Sequence, residues 1–115
     1  MSTSKPFCPE RGDYIWIDFE LQSGRQITKY RPALVLSSKN HNQAFGMCIV
    51  CPSTTKPKGY DCEVPVSISG TSSVIKVEQI RSLDWRTRRA KFIGKAEAEV
   101  MEEVTETIAA LLMIA

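Results

Sequence analysis

The sequence predicts a mainly β protein: a small antiparallel barrel with one helix packed on it at the C-terminal end. Three observations carry that prediction. Short runs rich in β-branched and aromatic residues recur from Tyr14 to Lys95, bounded by Gly, Pro, Ser and charged residues. That is the pattern of strands and turns. Residues 96–115 switch to apolar spacings of three and four, the period of a helix. Between these regions, Ala33-Leu34-Val35-Leu36 is apolar without a break. A helix needs roughly ten residues or more, so this run fits a strand buried on both faces. Strands followed by a single helix form a sheet with one covering element.

Taken in order, residues 1–10 hold Ser, Thr, Pro and Lys and are expected to form a flexible arm. A single domain then spans 11–115. Arg11-Gly12-Asp13 reads as a turn before a first strand, Tyr14–Phe19. In that strand Tyr14, Trp16 and Asp18 face one side, and Ile15, Ile17 and Phe19 the other. Leu21 to Tyr30 is polar and contains Gly24, so it reads as a long loop of the kind that carries function. It leads into Arg31-Pro32. Pro32 fixes its own φ and holds Arg31 extended, which sets a guanidinium at the mouth of the central strand.

Ser38 to Gly46 is polar, holds the only histidine, His41, and is expected to be a loop. Met47–Cys51 is a third strand whose ladder Pro52 should stop. Pro52 to Tyr60 is a hydroxyl-rich basic loop. Cys62–Val66 and Val74–Val77 read as strands around a turn at Ser67–Ser73. Glu78–Trp85 leads into Arg86–Lys91, where four of six residues are basic. Lys91–Lys95 is the last strand. In the terminal helix Val100, Val104, Ile108, Leu111, Leu112 and Ala115 form one stripe. Glu97, Glu99, Glu102 and Glu103 crowd its early turns, where the helix dipole favours anions.

The 115 residues suit one domain with one modest core. No stretch is apolar enough to span a bilayer, so no membrane role is expected. Met1 to Glu10 lacks the apolar region of a signal peptide. A cytoplasmic protein is therefore expected, with Cys8, Cys48, Cys51 and Cys62 reduced. Net charge is only +2, but it is unevenly spread: all 15 bases and eight of the 13 acids lie in residues 1–95. That body carries +7 and the remaining twenty residues −5, a distribution that permits a polyanionic partner.

Cys48-x-x-Cys51 has a spacing associated with metal or redox sites. On a strand, however, positions i and i+3 point to opposite faces, so buried structural thiols are the better reading. His41 is single and has no second histidine for an acid–base pair. No cofactor or metal site is expected. The second loop offers more. Thr54 and Thr55 present hydroxyls directly after a buried strand, with Lys56 and Lys58 beside them. Together with Arg31 they make a set able to hold a phosphodiester and stabilise added negative charge.

Arg11-Gly12-Asp13-x-x-Trp16-x-Asp18-Phe19, Arg31 to Ser37, Gly46-Met47-Cys48, Pro52-Ser53-Thr54-Thr55, Lys58-Gly59-Tyr60 and Glu78-Gln79-Ile80-Arg81 together resemble the ordered motifs of the MazF/PemK toxins. The likeness covers about residues 10–113. It implies an SH3-like barrel of the CcdB/PemK type, assembled as a homodimer with an RNA groove. It also implies a sequence-specific, ribosome-independent and metal-independent endoribonuclease acting on single-stranded mRNA. Such enzymes leave 2′,3′-cyclic phosphate and 5′-hydroxyl ends. A cognate MazE-like antitoxin would neutralise it, and DNA would be bound only through the antitoxin complex.

By this resemblance Arg31 and Thr54 are the catalytic pair. Trp16, Tyr30, Thr55, Lys56 and Lys58 are expected to bind RNA, as are Glu78, Gln79, Arg81 and Arg86. Many members carry histidine where Tyr30 stands, and Asp-Gln where this chain has Glu78-Gln79. A guanidinium hardly loses its proton, so Arg31 is expected to stabilise phosphate rather than transfer protons. Two other readings fit the fold: a catalytically silent SH3-like binding module, and a gyrase poison of the CcdB kind.

Overall fold

The central strand is buried on both faces, as its composition requires. In the computed structural model, which describes residues 7–20 and 29–114, it runs Tyr30–Val35 (β2). It lies between Asp13–Asp18 (β1) and Met47–Thr54 (β3). Ala33 and Val35 join one core cluster, with Ile15, Ile17, Val50 and Leu83. Leu34 and Leu36 join the other, with Tyr14, Val64, Ile75 and Val104.

The remaining strands are Glu63–Ile68 (β4), Thr71–Lys76 (β5), Arg81–Asp84 (β6) and Lys91–Lys95 (β7). All pairings are antiparallel, in the order β4-β5-β3-β2-β1-β7, with β6 also on β3. The sheet curls into a half-barrel. The helix Ala98–Leu112 (α2) covers one face. It places Val104 in the core, flanked by the partly buried Val100, Met101 and Ile108. The mainly β fold with a C-terminal helix is as the sequence predicts, and β7 has its expected limits.

Several expectations are corrected. Ser38–Gly46 is not a loop, because Lys39–Phe45 is a helix (α1). The Ser38 hydroxyl caps it by accepting from the His41 N–H at 3.2 Å, and Gly46 ends it with φ of 68°. Such a left-handed C-cap favours glycine. Pro52 does not stop β3: it pairs opposite Ala33. It falls where β3 changes partner, from β6 along Met47–Val50 to β5 at Ser53 and Thr54. A residue with no N–H is tolerated at that break.

The turn expected at Ser67–Ser73 tightens to Ser69-Gly70, both at positive φ, the two-residue form that matches strand twist. Its flanking serines pair in β4 and β5. Of the expected arm, residues 1–6 lie outside the described residues. Phe7 packs on the core and Pro9 is fully buried. The expected loop at Leu21–Tyr30 lies outside them from 21 to 28. Ala115 of the helical stripe does too.

Cys48 and Cys51 point to opposite core clusters. Burial pushes both thiols up to about 12, and all four cysteines are free. No helix among the described residues is long and apolar enough to cross a membrane.

Candidate active site

The register of β2 and β3 builds the site. Ala33 sits opposite Pro52, the last pair of the β2–β3 ladder, with Arg31 two residues beyond it on β2 and Thr54 two residues beyond it on β3. Both side chains line one cavity of about 430 Å³. Ser53, buried between them, donates its hydroxyl to the Pro32 carbonyl at 3.0 Å, which ties the two strands at this point. Thr54 accepts from the Lys56 N–H at 3.1 Å, a local turn contact that leaves its own hydroxyl proton to donate. Thr55 and Lys56 line the same cavity.

Trp16 forms part of the wall. It stacks on Tyr30 across the β1–β2 ladder, with ring centroids 5.5 Å apart and planes 20° apart. Tyr30 donates its hydroxyl to the Arg89 carbonyl at 2.9 Å. Burial pushes its phenol up, so it is neutral near pH 7.

Arg31 also lines a second, smaller cavity of about 70 Å³ with Phe19, Glu20, Lys29, Pro52, Gln79 and Arg81. Among the described residues the two cavities share only Arg31. Asp18, fully buried, accepts from the backbone N–H groups of Glu20 and Lys29 at 3.0 and 3.2 Å. This fixes both residues beside Arg31. Lys29 pairs with Glu20 at 3.7 Å on the surface.

Four expected RNA contacts do not line these cavities: Tyr30, which stacks on Trp16, and Glu78, Lys58 and Arg86. Glu78 receives the Cys62 thiol at 3.2 Å and pairs with Lys76 at 3.2 Å. Burial pushes its carboxyl up, but those partners and its own backbone outweigh burial and hold it below the usual range. Lys58 gives its backbone N–H to Glu63. Arg86 lies over Trp85 and donates to the Gln43 carbonyl at 3.1 Å.

The sequence reading also missed contributors. Ser69, Thr71 and Ser73 of the β4–β5 hairpin line the larger cavity, with Ile68 and Ile93. Their signal was the alternation of hydroxyls along a strand. Among the described residues no three His, Cys, Asp or Glu side chains group closely enough to hold a metal.

Residues 10–112 match the family described as PemK-like, MazF-like toxin of type II toxin–antitoxin system. The chain is 36% identical over 106 residues to the endoribonuclease toxin MazF of Escherichia coli K12, covering 92% of this chain and 96% of that protein. It is 38% identical over 100 residues to the endoribonuclease toxin ChpB of the same strain, covering 82% and 85%. Its fold matches the crystal structure of MazF from Deinococcus radiodurans with a TM-score of 0.84 and 38% identity, over 94% of this chain and 99% of that one. It also matches the MazE–MazF complex (Form-II) from that organism, with a TM-score of 0.83 and 36% identity, over 96% and 100%.

Proposed function

The chain belongs to the PemK-like, MazF-like family of type II toxins, and from that premise we propose that it is an endoribonuclease. Its substrate is single-stranded mRNA, cut at chosen sequences without the ribosome. The observation that carries the reading is the shared cavity of Arg31 and Thr54, joined through Arg31 to a cationic pocket holding Lys29 and Arg81.

The reaction is a transesterification. The 2′-oxygen of one nucleotide loses its proton and bonds to the adjacent phosphorus. The bond from phosphorus to the 5′-oxygen breaks, and that oxygen gains a proton. The products are a 2′,3′-cyclic phosphate and a 5′-hydroxyl. Negative charge builds on the non-bridging oxygens, where Arg31 donates charge-assisted hydrogen bonds and the Thr54 hydroxyl a neutral one. Fixed cations supply this stabilisation, so the activity is expected to need no metal.

A MazE-like antitoxin is the proposed partner, since relatives have been solved as MazE–MazF complexes. The protein is proposed to act as a homodimer. Leu111, Leu112, Met113 and Ile114 are exposed at the end of α2, and the exposed Ile80 lines one surface hollow with Leu111 and Leu112, an apolar surface suited to a second copy. The test is to incubate purified protein with a long RNA in EDTA and map the new ends. Recurrent cuts bearing 5′-hydroxyl ends are expected. Intact RNA, or cutting restored only by added metal, would refute the reading.

A further inference from the structure

The loop from β3 to β4 carries Thr55 and Lys56 past the larger cavity, and one carboxylate holds its far end. Glu63, the first residue of β4, has a side chain only 3% exposed. Its Oε1 accepts from the backbone N–H groups of Lys58 and Gly59 at 3.1 and 2.9 Å. Its Oε2 accepts from the Lys58 N–H at 3.0 Å and from the Lys76 ammonium at 2.9 Å. Two successive N–H groups aimed at one anion need a sharp turn, and Gly59 supplies it at φ of 82° without steric cost. The Glu63 N–H in turn donates to the Tyr60 carbonyl at 3.1 Å. Lys76 lies against the Tyr60 ring, 4.9 Å from its centroid, and also pairs with Glu78 at 3.2 Å. A buried ion pair needs none of these backbone bonds, so the loop is what they serve.

The ladders close the arrangement. Glu63 and Lys76 face each other between β4 and β5. Two residues earlier on β5, Val74 pairs with Thr54. β5 therefore fixes both ends of a three-residue bridge, Thr55-Lys56-Pro57: directly at Thr54, and through Glu63 at Lys58. Within the bridge the Lys56 N–H bonds to the Thr54 hydroxyl at 3.1 Å. Pro57 fixes its own φ and holds Lys56 extended. Among the described residues the Lys56 ammonium has no ion-pair or hydrogen-bond partner. A lysine side chain is otherwise free to take many rotamers, so its backbone is what aims it.

Resting on the endoribonuclease reading, we propose that Glu63 is a positioning residue. Through Lys58 it holds Lys56 at the cavity beside Arg31, where the ammonium meets the RNA backbone. Glu63 lines neither cavity and touches no substrate.

The sign of the effect separates positioning from charge. Glu63→Gln removes a negative charge, which by long-range electrostatics alone would tighten RNA binding. Positioning demands the opposite. In steady-state cleavage of one RNA oligonucleotide, corrected for folded fraction by circular dichroism, Glu63→Gln should raise KM about threefold or more with kcat nearly unchanged, the size of a coupling within one network. Lys56→Ala should raise KM at least as much, and the double variant no more than Lys56→Ala alone. One Gly inserted between Pro57 and Lys58 keeps the Glu63–Lys76 pair whole but slackens the bridge, and surface loops tolerate such insertions. It should raise KM as Glu63→Gln does, so the test does not hang on the Gln variant folding. An unchanged or lower KM in Glu63→Gln, a loss in kcat alone, additive losses in the double variant, or a wild-type KM in the insertion variant would each overturn the proposal and leave the nuclease intact.

If the wild type cuts no RNA, the nuclease reading fails by itself. Amide exchange then tests the clamp directly, with the β2 amides as reference. Lys58 and Gly59 should exchange faster in Glu63→Gln than in the wild type, and equal exchange refutes the clamp.

Discussion

Arg31 and Arg81 stand over one aromatic ring, their guanidinium carbons 5.8 and 5.4 Å from the centroid of Phe19. Phe19 is buried, so the ring is fixed. Each cation gains about 0.5–2 kcal/mol from it, and each repels the other. The arrangement is set before any anion arrives, and an anion relieves the repulsion. This is the preorganisation that transition-state stabilisation requires.

Arg31→Ala is therefore expected to keep the fold and to cut RNA at least ~100-fold more slowly, as for loss of one preorganised donor. Thr54→Ala should slow cleavage only about 5- to 10-fold, because a neutral hydrogen bond is worth about 1 kcal/mol or a little more. Single-turnover rates on one oligonucleotide, with circular dichroism as the folding check, decide the order. A greater loss at Thr54 would reverse the roles.

Glu63 and Lys76 form an ion pair at 2.9 Å with both side chains nearly buried. The Lys76 hydrogen bond, helped by the backbone N–H groups of Lys58 and Gly59, holds the Glu63 carboxyl down to about 2. Glu63 itself raises Lys76 above the ordinary lysine range. A depressed acid stabilises the fold above its unfolded value of about 4.3. That contribution is lost as pH falls from there towards 2. A raised lysine stabilises the fold below its unfolded value and fails only at strongly alkaline pH. Glu63→Gln should thus be clearly less stable than wild type at pH 7, and the gap should narrow as pH drops from about 4.3 towards 2. Denaturant midpoints at pH 7, 4 and 2.5 measure it. A constant gap would mean that the pair does not govern acid stability.

Cys48 and Cys51 sit in cores, so Cys48→Ser and Cys51→Ser should each cost about 1–3 kcal/mol by burying a hydroxyl. Cleavage by the still-folded fraction should be unchanged. Urea titrations and specific activity separate the two effects. Activity lost without lost stability would give the thiols a chemical role.

RNA and a small acidic antitoxin are expected to compete for the cationic surface around Lys29, Arg31, Lys56 and Arg81. Lys58 and Arg86 lie apart from the two cavities. Of three aromatic candidates to receive the apolar anchors of such a peptide, Trp16 and Tyr60 are exposed and Phe19 is buried. Both ligands should weaken as salt rises. Titrating antitoxin peptide into an Arg31→Ala–RNA mixture should release the RNA. A ternary complex with RNA affinity unchanged would place neutralisation on another face.

The legible parts were those with a strong local signal. Ala33–Leu36 had no polar residue to mislead, and Val100, Val104 and Ile108 kept helical spacing. That Arg31 and Thr54 line one cavity was legible because Pro32 and the buried strand ends restrict the backbone that carries them. α1 was not, because seven residues with little apolar character show no periodicity. Its signals were the caps, Ser38 and Gly46. That Glu78, Lys58 and Arg86 lie outside the two cavities was not legible, because their partners, Lys76 with Cys62, Glu63 and Gln43, come from tertiary packing that spacing does not encode. The hairpin's share of the cavity was hidden because serines at a turn look like linker until their strand pairing is known.

The change of partner along β3 also governs local opening. The β4–β5 hairpin joins the rest of the sheet through two paired positions, Ser53 with Ile75 and Thr54 with Val74. β1 and β2 are paired along five. Partial unfolding of the hairpin therefore breaks fewer backbone bonds than opening the centre, and its amides should exchange with solvent deuterium before those of β2. Thr54 belongs to the last pair of that junction. Each such excursion strips Thr54 of its neighbour while Arg31 stays anchored, so the time the two residues spend lining one cavity is set at the sheet's weakest seam.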